Sequence, residues 1–145
     1  MFELSEFYRY CRENQVSIIP YLGIPQPGAT IRDGSHYGVF LDFSQIDTTR
    51  LLRGVCAHEL SHLKTGALHR PASPYDLAQR SEYRANRYFS QHYLTEKELR
   101  QAFSQGYTEL WQLSEYFDLP EQDIQKALSY WTVARNVNFN EPAAG

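Results

Sequence analysis

The chain has 145 residues, of which 42% are hydrophobic, so it can bury one core without support from disulfides. Two cysteines make no disulfide framework, no apolar run approaches about 18 residues and no signal-peptide pattern is present, so we expect a cytoplasmic protein that does not enter a membrane. A net charge of −3 argues against direct nucleic-acid binding, which requires a basic surface. We predict a single domain over 1–145.

The first third of the chain predicts one helix and a small sheet. The segment from Leu4 to Gln15 has the apolar spacing of an amphipathic helix. An apolar extended segment, 16–21, follows, and strands at 29–32 and 37–43 flank a tight turn at Asp33-Gly34. Alternation over 38–43 favours an edge strand that is half exposed to solvent.

The next helix carries the motif His58-Glu59-Leu60-Ser61-His62, which reads H-E-x-x-H. Residues four apart share a helix face, so His58 and His62 can both bind one metal ion. Glu59, one step round the helix, can accept a proton from water that the metal activates. This division of roles is typical of a zinc peptidase.

Local signals set the expected bounds of this helix. N-cap candidates occupy 47–49, and Gly66 is a plausible stop. One apolar stripe, in which Cys56 is expected to be a buried small hydrophobe, is formed by Leu52, Cys56, Leu60 and Leu63. Gly54 costs about 1 kcal/mol relative to alanine inside a helix. We therefore expect a strand or helix to pack closely against the backbone at Gly54.

A zinc site needs a third protein ligand. A second helical segment, about Tyr75 to Tyr93, carries Glu82 and, four residues later on the same face, Asn86. We predict that Glu82 is the third ligand of one zinc ion per chain. We predict that Asn86 accepts the outward N–H of a ligand histidine and so fixes its tautomer.

Three segments together resemble the ImmA/IrrE family of metallopeptidases. They are HELSH (58–62), TGALH (65–69) and EYRANRYF (82–89), within a resemblance that covers roughly 18–131. The resemblance implies an α+β, zincin-like domain of the gluzincin type. In such a domain the H-E-x-x-H helix packs on a short antiparallel sheet and the C-terminal part is helical. The edge strand at 38–43 would then lie above the substrate cleft, where a peptide could pair with it. The alternative is an edge strand without a binding role.

The resemblance also implies roles for individual residues. His58, His62 and Glu82 would bind zinc, and Glu59 would be the catalytic base. Arg84 stands where a second acid is common in the family, so the carboxylate ligand rests on Glu82 alone. The implied substrate is a helix-turn-helix transcriptional repressor of a phage or mobile element, cut at one site, which would make the protein an antirepressor.

A peptidase also needs a donor that stabilises the oxyanion of the tetrahedral intermediate. The candidates are His69, Tyr75, His92 and Tyr93. We place His69 first, as a second catalytic residue, because it lies on the link between the ligand helices, where a loop can overhang the metal. It stands where the family has an aromatic residue.

The remaining chain is predicted to be helical, beginning with a T-x-x-E capping box at 95–98. We divide the domain into a helix with strands, zinc-site helices, C-terminal helices and a flexible tail, at 1–47, 48–93, 94–134 and 135–145. Residues 110–128 resemble a helix-turn-helix, but acids crowd the turn and second helix, and Lys126 is the only cation there. We therefore predict a hairpin that covers the core or docks a partner.

Two other functions compete with site-specific cleavage. A zinc-stabilised regulatory protein could bind the repressor without cutting it, but such a module has no need of a general base at Glu59. A broad-specificity peptidase would need substrate subsites for which a domain of this size offers little room.

Overall fold

The computed structural model describes residues 1–66 and 75–143, which form an α+β fold as predicted. In chain order the elements are α1 (Leu4–Glu13), β1 (Ser17–Pro20), β2 (Gly28–Asp33), β3 (His36–Leu41), α2 (Thr49–Thr65), α3 (Tyr75–Tyr93), α4 (Glu96–Ser104), α5 (Leu110–Phe117) and α6 (Glu121–Ser129). A 3-10 turn at Phe43–Gln45 follows β3, and a π-helical turn at Tyr130–Ala134 follows α6. Among these helices none has the length and apolar character needed to cross a membrane.

The three strands form a mixed sheet in the order β1-β3-β2. β2 and β3 are an antiparallel hairpin, with Gly28 opposite Leu41, as the turn signals predicted. β1 instead runs parallel to β3, so the prediction of a purely antiparallel sheet is wrong. The reason is the connection: residues 21–27 cross the end of β3 to the far edge, held by hydrogen bonds from Tyr21 N to Leu41 O and from Asp42 N to Pro27 O.

The edge strand is not the one that the sequence indicated. β3, predicted within 37–43 to be an edge strand, is the central strand, and its side chains Val39 and Leu41 are fully buried. Its alternating pattern arises because one face of the sheet packs on the core, which is true of central and edge strands alike. β2 forms the edge nearest α2.

The helix that carries the H-E-x-x-H motif, α2, begins and ends where its local signals predicted. The Thr48 hydroxyl caps the N-terminus by accepting a hydrogen bond from Leu51 N at 3.0 Å, and Gly66 ends the helix in the left-handed conformation, with φ 64°. Such a cap contributes about 1 kcal/mol. Cys56 and Leu60, on the predicted apolar stripe, are fully buried against the core, and burial raises the pKa of the Cys56 thiol to about 12.

A close approach of α6 explains the glycine inside α2. A Cβ on Gly54 would lie 2.5 Å from Asp123 Oδ2 and 2.6 Å from Pro120 Cδ. Arg53, the preceding residue, also links α2 to other segments, because its guanidinium donates to Asp118 O at 2.9 Å and to Phe2 O at 2.7 Å. The segment that resembles a helix-turn-helix is therefore a hairpin docked on α2.

A short stretch within the predicted tail, 137–141, contacts α4. The predicted capping box of α4 is present, with Thr95 and Glu98 bonded reciprocally. The Arg100 guanidinium of that helix donates to the carbonyl oxygens of Asn138 and Glu141, and Phe139 packs against the core. Residues 137–141 therefore lie along α4.

Candidate metal centre and cleft

The structure brings the three predicted ligands to one point. His58 Nε2 lies 3.1 Å from His62 Nε2, and each nitrogen lies 3.2 Å from an oxygen of Glu82. Ligands about 2.0–2.1 Å from a tetrahedral zinc ion stand roughly 3.3 Å apart. Two imidazoles and one carboxylate at these separations can therefore hold a metal ion, and the donor set fits zinc.

Two consecutive helices position this triad. The histidines are one turn apart on α2, with ring planes at 84° and centroids 4.7 Å apart. Glu82 reaches them from α3, which packs against α2. The Arg84 guanidinium donates to Thr65 O at 3.2 Å and ties α3 to the end of the metal helix. Arg84, which replaces an acid common in the resembling family, therefore has a structural role here.

The ionisation of Glu82 suits metal binding. Its partial burial raises the pKa of the carboxyl, but hydrogen bonds and charge from His58 and His62 outweigh that effect and leave the pKa well below its usual range. Glu82 is thus a carboxylate at neutral pH, the form that binds a cation.

Glu59 is adjacent to the triad but is not part of it. The residue is 3% exposed, and its Oε2 lies 4.0 Å from His58 Nε2. Thr30 Oγ1, on the edge strand β2, donates to Glu59 Oε1 at 2.9 Å. A Cβ on Gly28 would approach Glu59 Cγ to 3.2 Å, so the strand passes directly over this carboxylate. Glu59 is therefore held between α2 and β2, with one oxygen facing the triad.

The triad and Glu59 open into a cleft of about 610 Å³. One wall is the segment 24–31, which includes the first half of β2. The second is the ligand face of α2, and the third is α6, through Gln122, Asp123 and Lys126. The strand above the cleft is therefore β2, in place of the predicted 38–43 segment.

Three predicted oxyanion donors lie elsewhere. Tyr75 is 76% exposed, and the His92 ring stacks on Tyr88 with centroids 3.9 Å apart. Tyr93 is buried, and its hydroxyl donates to Glu6 Oε1 at 3.1 Å, so it joins α3 to α1. Within the residues described, none of the three lines the cleft.

Two further predictions concern the surroundings of the ligands. His69, the preferred oxyanion donor, falls within 67–74, outside the described residues. Asn86 was predicted to accept the N–H of a ligand histidine; among the described residues no hydrogen bond joins it to His58, and for His62 this stays a prediction.

Sequence reasoning missed two polar residues of this cleft. Thr30 was missed because the sequence does not show which strand lies at the edge of the sheet. Asp123 was considered only as one of the acidic residues that argue against DNA binding. The available signals were Gly54, one turn before His58 on the ligand face, and Pro120, which begins the helix that fills the space beside it.

Comparison of the chain with family models, with curated proteins and with solved structures finds no significant match in any of the three. The likeness to the ImmA/IrrE family is thus carried by the motif residues alone, and the function has to be argued from the site.

Proposed function

We propose that the protein is a zinc-dependent endopeptidase that cuts a helix-turn-helix repressor at one site. The observation that carries this proposal is Glu59, a buried carboxylate beside the triad that serves as no ligand. Burying a carboxylate is costly unless it is paired, and Thr30 gives it only one hydrogen bond. A general base accounts for a carboxylate retained at this position.

Each residue of the site has a definite part in peptide hydrolysis. Zinc, when bound, supplies a Lewis acid that polarises a scissile carbonyl and lowers the pKa of water toward 7. His58, His62 and Glu82 would hold the ion. Glu59 would accept a proton from the attacking water and deliver it to the leaving amine. The Thr30 hydrogen bond occupies Oε1, which leaves Oε2, on the side of His58, for that transfer.

The cleft suits an extended peptide. An edge strand presents unpaired backbone N–H and C=O groups, to which another chain can add. β2 is such an edge, and its residues 28–31 line the cleft beside Glu59. A substrate strand paired with β2 would pass directly across the triad. This geometry requires a segment of the substrate that is extended or locally unfolded.

The choice of a repressor as substrate rests on the resemblance to the ImmA/IrrE family. Such a substrate would place the activity in the cytoplasm, as an antirepressor of a phage or mobile element. The competing function is a zinc-stabilised protein that binds the repressor without cutting it. It would use the same triad and would leave Glu59 without a purpose.

Intact-mass analysis of a helix-turn-helix repressor encoded beside this gene, where the resembling family has its substrates, would test the proposal. The repressor is incubated with zinc-loaded protein, with Glu59→Gln in parallel and the exposed-site variant Glu121→Gln as a matched control. We expect one defined cut by the wild type and by the control, and none by Glu59→Gln at equal zinc content. Association without a cut by the wild type would instead support the regulatory protein.

A further inference from the structure

A second carboxylate, Asp123, faces the same cleft from α6. The residue is 9% exposed and lines the cleft between the ligand face of α2 and the first turn of α6. In the part of the chain that the structure describes, it accepts no hydrogen bond and forms no ion pair. Neither the metal triad nor the proposed proton transfer uses it.

One common structural reason for an acid at this position, the capping box, does not apply. Asp123 is the third residue of α6, where an acid normally accepts a hydrogen bond from the N–H of the N-cap residue. The N-cap of α6 is Pro120, which has no N–H. The helix end therefore leaves the Asp123 carboxylate free to interact with a group that enters the cleft.

The carboxylate lies in line with the metal ligands. Its Oδ2 occupies the space beside Gly54, 2.5 Å from where a Cβ would be. Gly54 precedes His58 by one turn on the same face of α2, so the carboxylate is about 6 Å along the helix from the first ligand. Leu51 and Val55 supply the apolar lining around it.

The charge around Asp123 is incompletely balanced. Burial raises the pKa of its carboxyl, and the nearby charges of Lys126 and His58 only partly offset this. Lys126 lies one turn further along α6 and also lines the cleft. An additional cation in the cleft would stabilise the ionised carboxylate, since charge-assisted hydrogen bonds are among the stronger interactions in a partly buried site.

We infer that Asp123 forms a subsite for a guanidinium or ammonium side chain of the substrate, next to the bond that is cut. This inference rests on the proposed peptidase function. Successive Cα atoms of an extended peptide are about 3.8 Å apart. A residue beside the scissile bond can therefore place an arginine or lysine head group at Asp123 while the neighbouring carbonyl lies at the triad. The helical hairpin thus contributes specificity to the cleft.

Peptides that carry arginine or its neutral isostere citrulline would test the subsite. One arginine is moved through every position of a labelled octapeptide, and each peptide has a citrulline counterpart. Binding is measured by fluorescence anisotropy with zinc-loaded Glu59→Gln protein, so the readout does not depend on turnover. For one position in the peptide, we expect the arginine peptide to bind at least about tenfold more tightly than its citrulline counterpart.

Variants of α6 separate the subsite from general charge effects. Asp123→Asn, added to the Glu59→Gln protein, should reduce the arginine preference to about twofold or less. Glu121→Gln removes the same charge from an exposed position of the same helical turn and should leave the preference unchanged. Lys126→Met removes the internal competitor for the Asp123 carboxylate and should increase the preference, so the test does not depend on one variant's folding.

The outcomes distinguish this inference from the proposed function. Equal binding of arginine and citrulline at every position, or a preference that survives Asp123→Asn, would overturn the subsite. The same peptides are then incubated with the active wild type. Cleavage without an arginine preference would retain the peptidase and reject the subsite, whereas an Asp123-dependent preference without cleavage would retain the subsite and reject the peptidase.

Discussion

Replacing Gly54 with alanine would test how closely α6 packs on the metal helix. Inside a helix, alanine is favoured over glycine by about 1 kcal/mol, so an open site would be stabilised. Here the added Cβ would lie 2.5 Å from Asp123 Oδ2 and 2.6 and 2.7 Å from Pro120 Cδ and Cγ. A proline ring cannot rotate away, so α6 as a whole must move.

The two opposing effects can be compared directly. Overpacking a well-filled site costs typically about 1–3 kcal/mol, and three contacts this short place Gly54→Ala near the upper end. After subtraction of the helical gain, we expect a net loss of roughly 2 kcal/mol in the free energy of unfolding. For a chain of this size the loss corresponds to a decrease in Tm of roughly 6–8 °C.

Urea denaturation followed by tryptophan fluorescence would measure this loss. Pro120→Ala provides the control background, because it removes two of the three short contacts. In that background Gly54→Ala should be close to neutral, and the difference between the two measurements is the coupling between the helices. A Gly54→Ala protein more stable than the wild type would refute the packing described for α6 and, with it, the position of Asp123.

Three further predictions concern single polar groups. Thr30→Val removes the hydrogen bond to Glu59 and should lower the free energy of unfolding by about 1–3 kcal/mol and slow repressor cleavage at unchanged zinc content; Thr30→Ser should restore both. Glu82→Ala should lose most bound zinc by mass spectrometry while Asp76→Ala, on the same helix, keeps it; full zinc content in the first variant would remove Glu82 from the site. Hydrogen bonds from Ser44 and Gln45 lower the pKa of Asp42 from 3.8 to about 2. The stability that this ionisation contributes is present above about pH 4 and is lost as the pH falls toward 2, so the Tm difference between wild type and Asp42→Asn should shrink over that interval, and a constant difference would contradict the assignment.

The parts of the site that the sequence predicted are those determined by neighbouring residues. The spacing of His58 and His62 fixes their shared face whatever surrounds them, and Thr48 and Gly66 mark the ends of α2 through bonds and dihedrals within a few residues. Glu82 could be chosen because, on the helix that follows, it shares a face with Asn86. These inferences required only helix geometry.

The errors concern groups whose partners lie far along the chain. The alternation of β3 shows that one face is buried, but the strand order depends on where residues 21–27 cross, which no local pattern shows. Tyr93 was a candidate donor by its position after Asn86, yet its hydroxyl bonds Glu6 on α1. Asp123 was counted only as a negative charge that disfavours DNA binding, whereas its place in the cleft follows from the packing of α6 on Gly54.

The metal triad and the cleft differ in how far apart their parts lie along the chain. The triad uses two consecutive helices, whereas the cleft also needs residues 24–31 and α6. Contacts between segments that are close in sequence form at a lower entropic cost and tend to form sooner. During synthesis α2 and α3 can pair before α6 has emerged from the ribosome. Under the proposed function, the nascent chain would be able to bind metal before its peptide cleft is complete, and peptide cleavage would require the last helices to dock first.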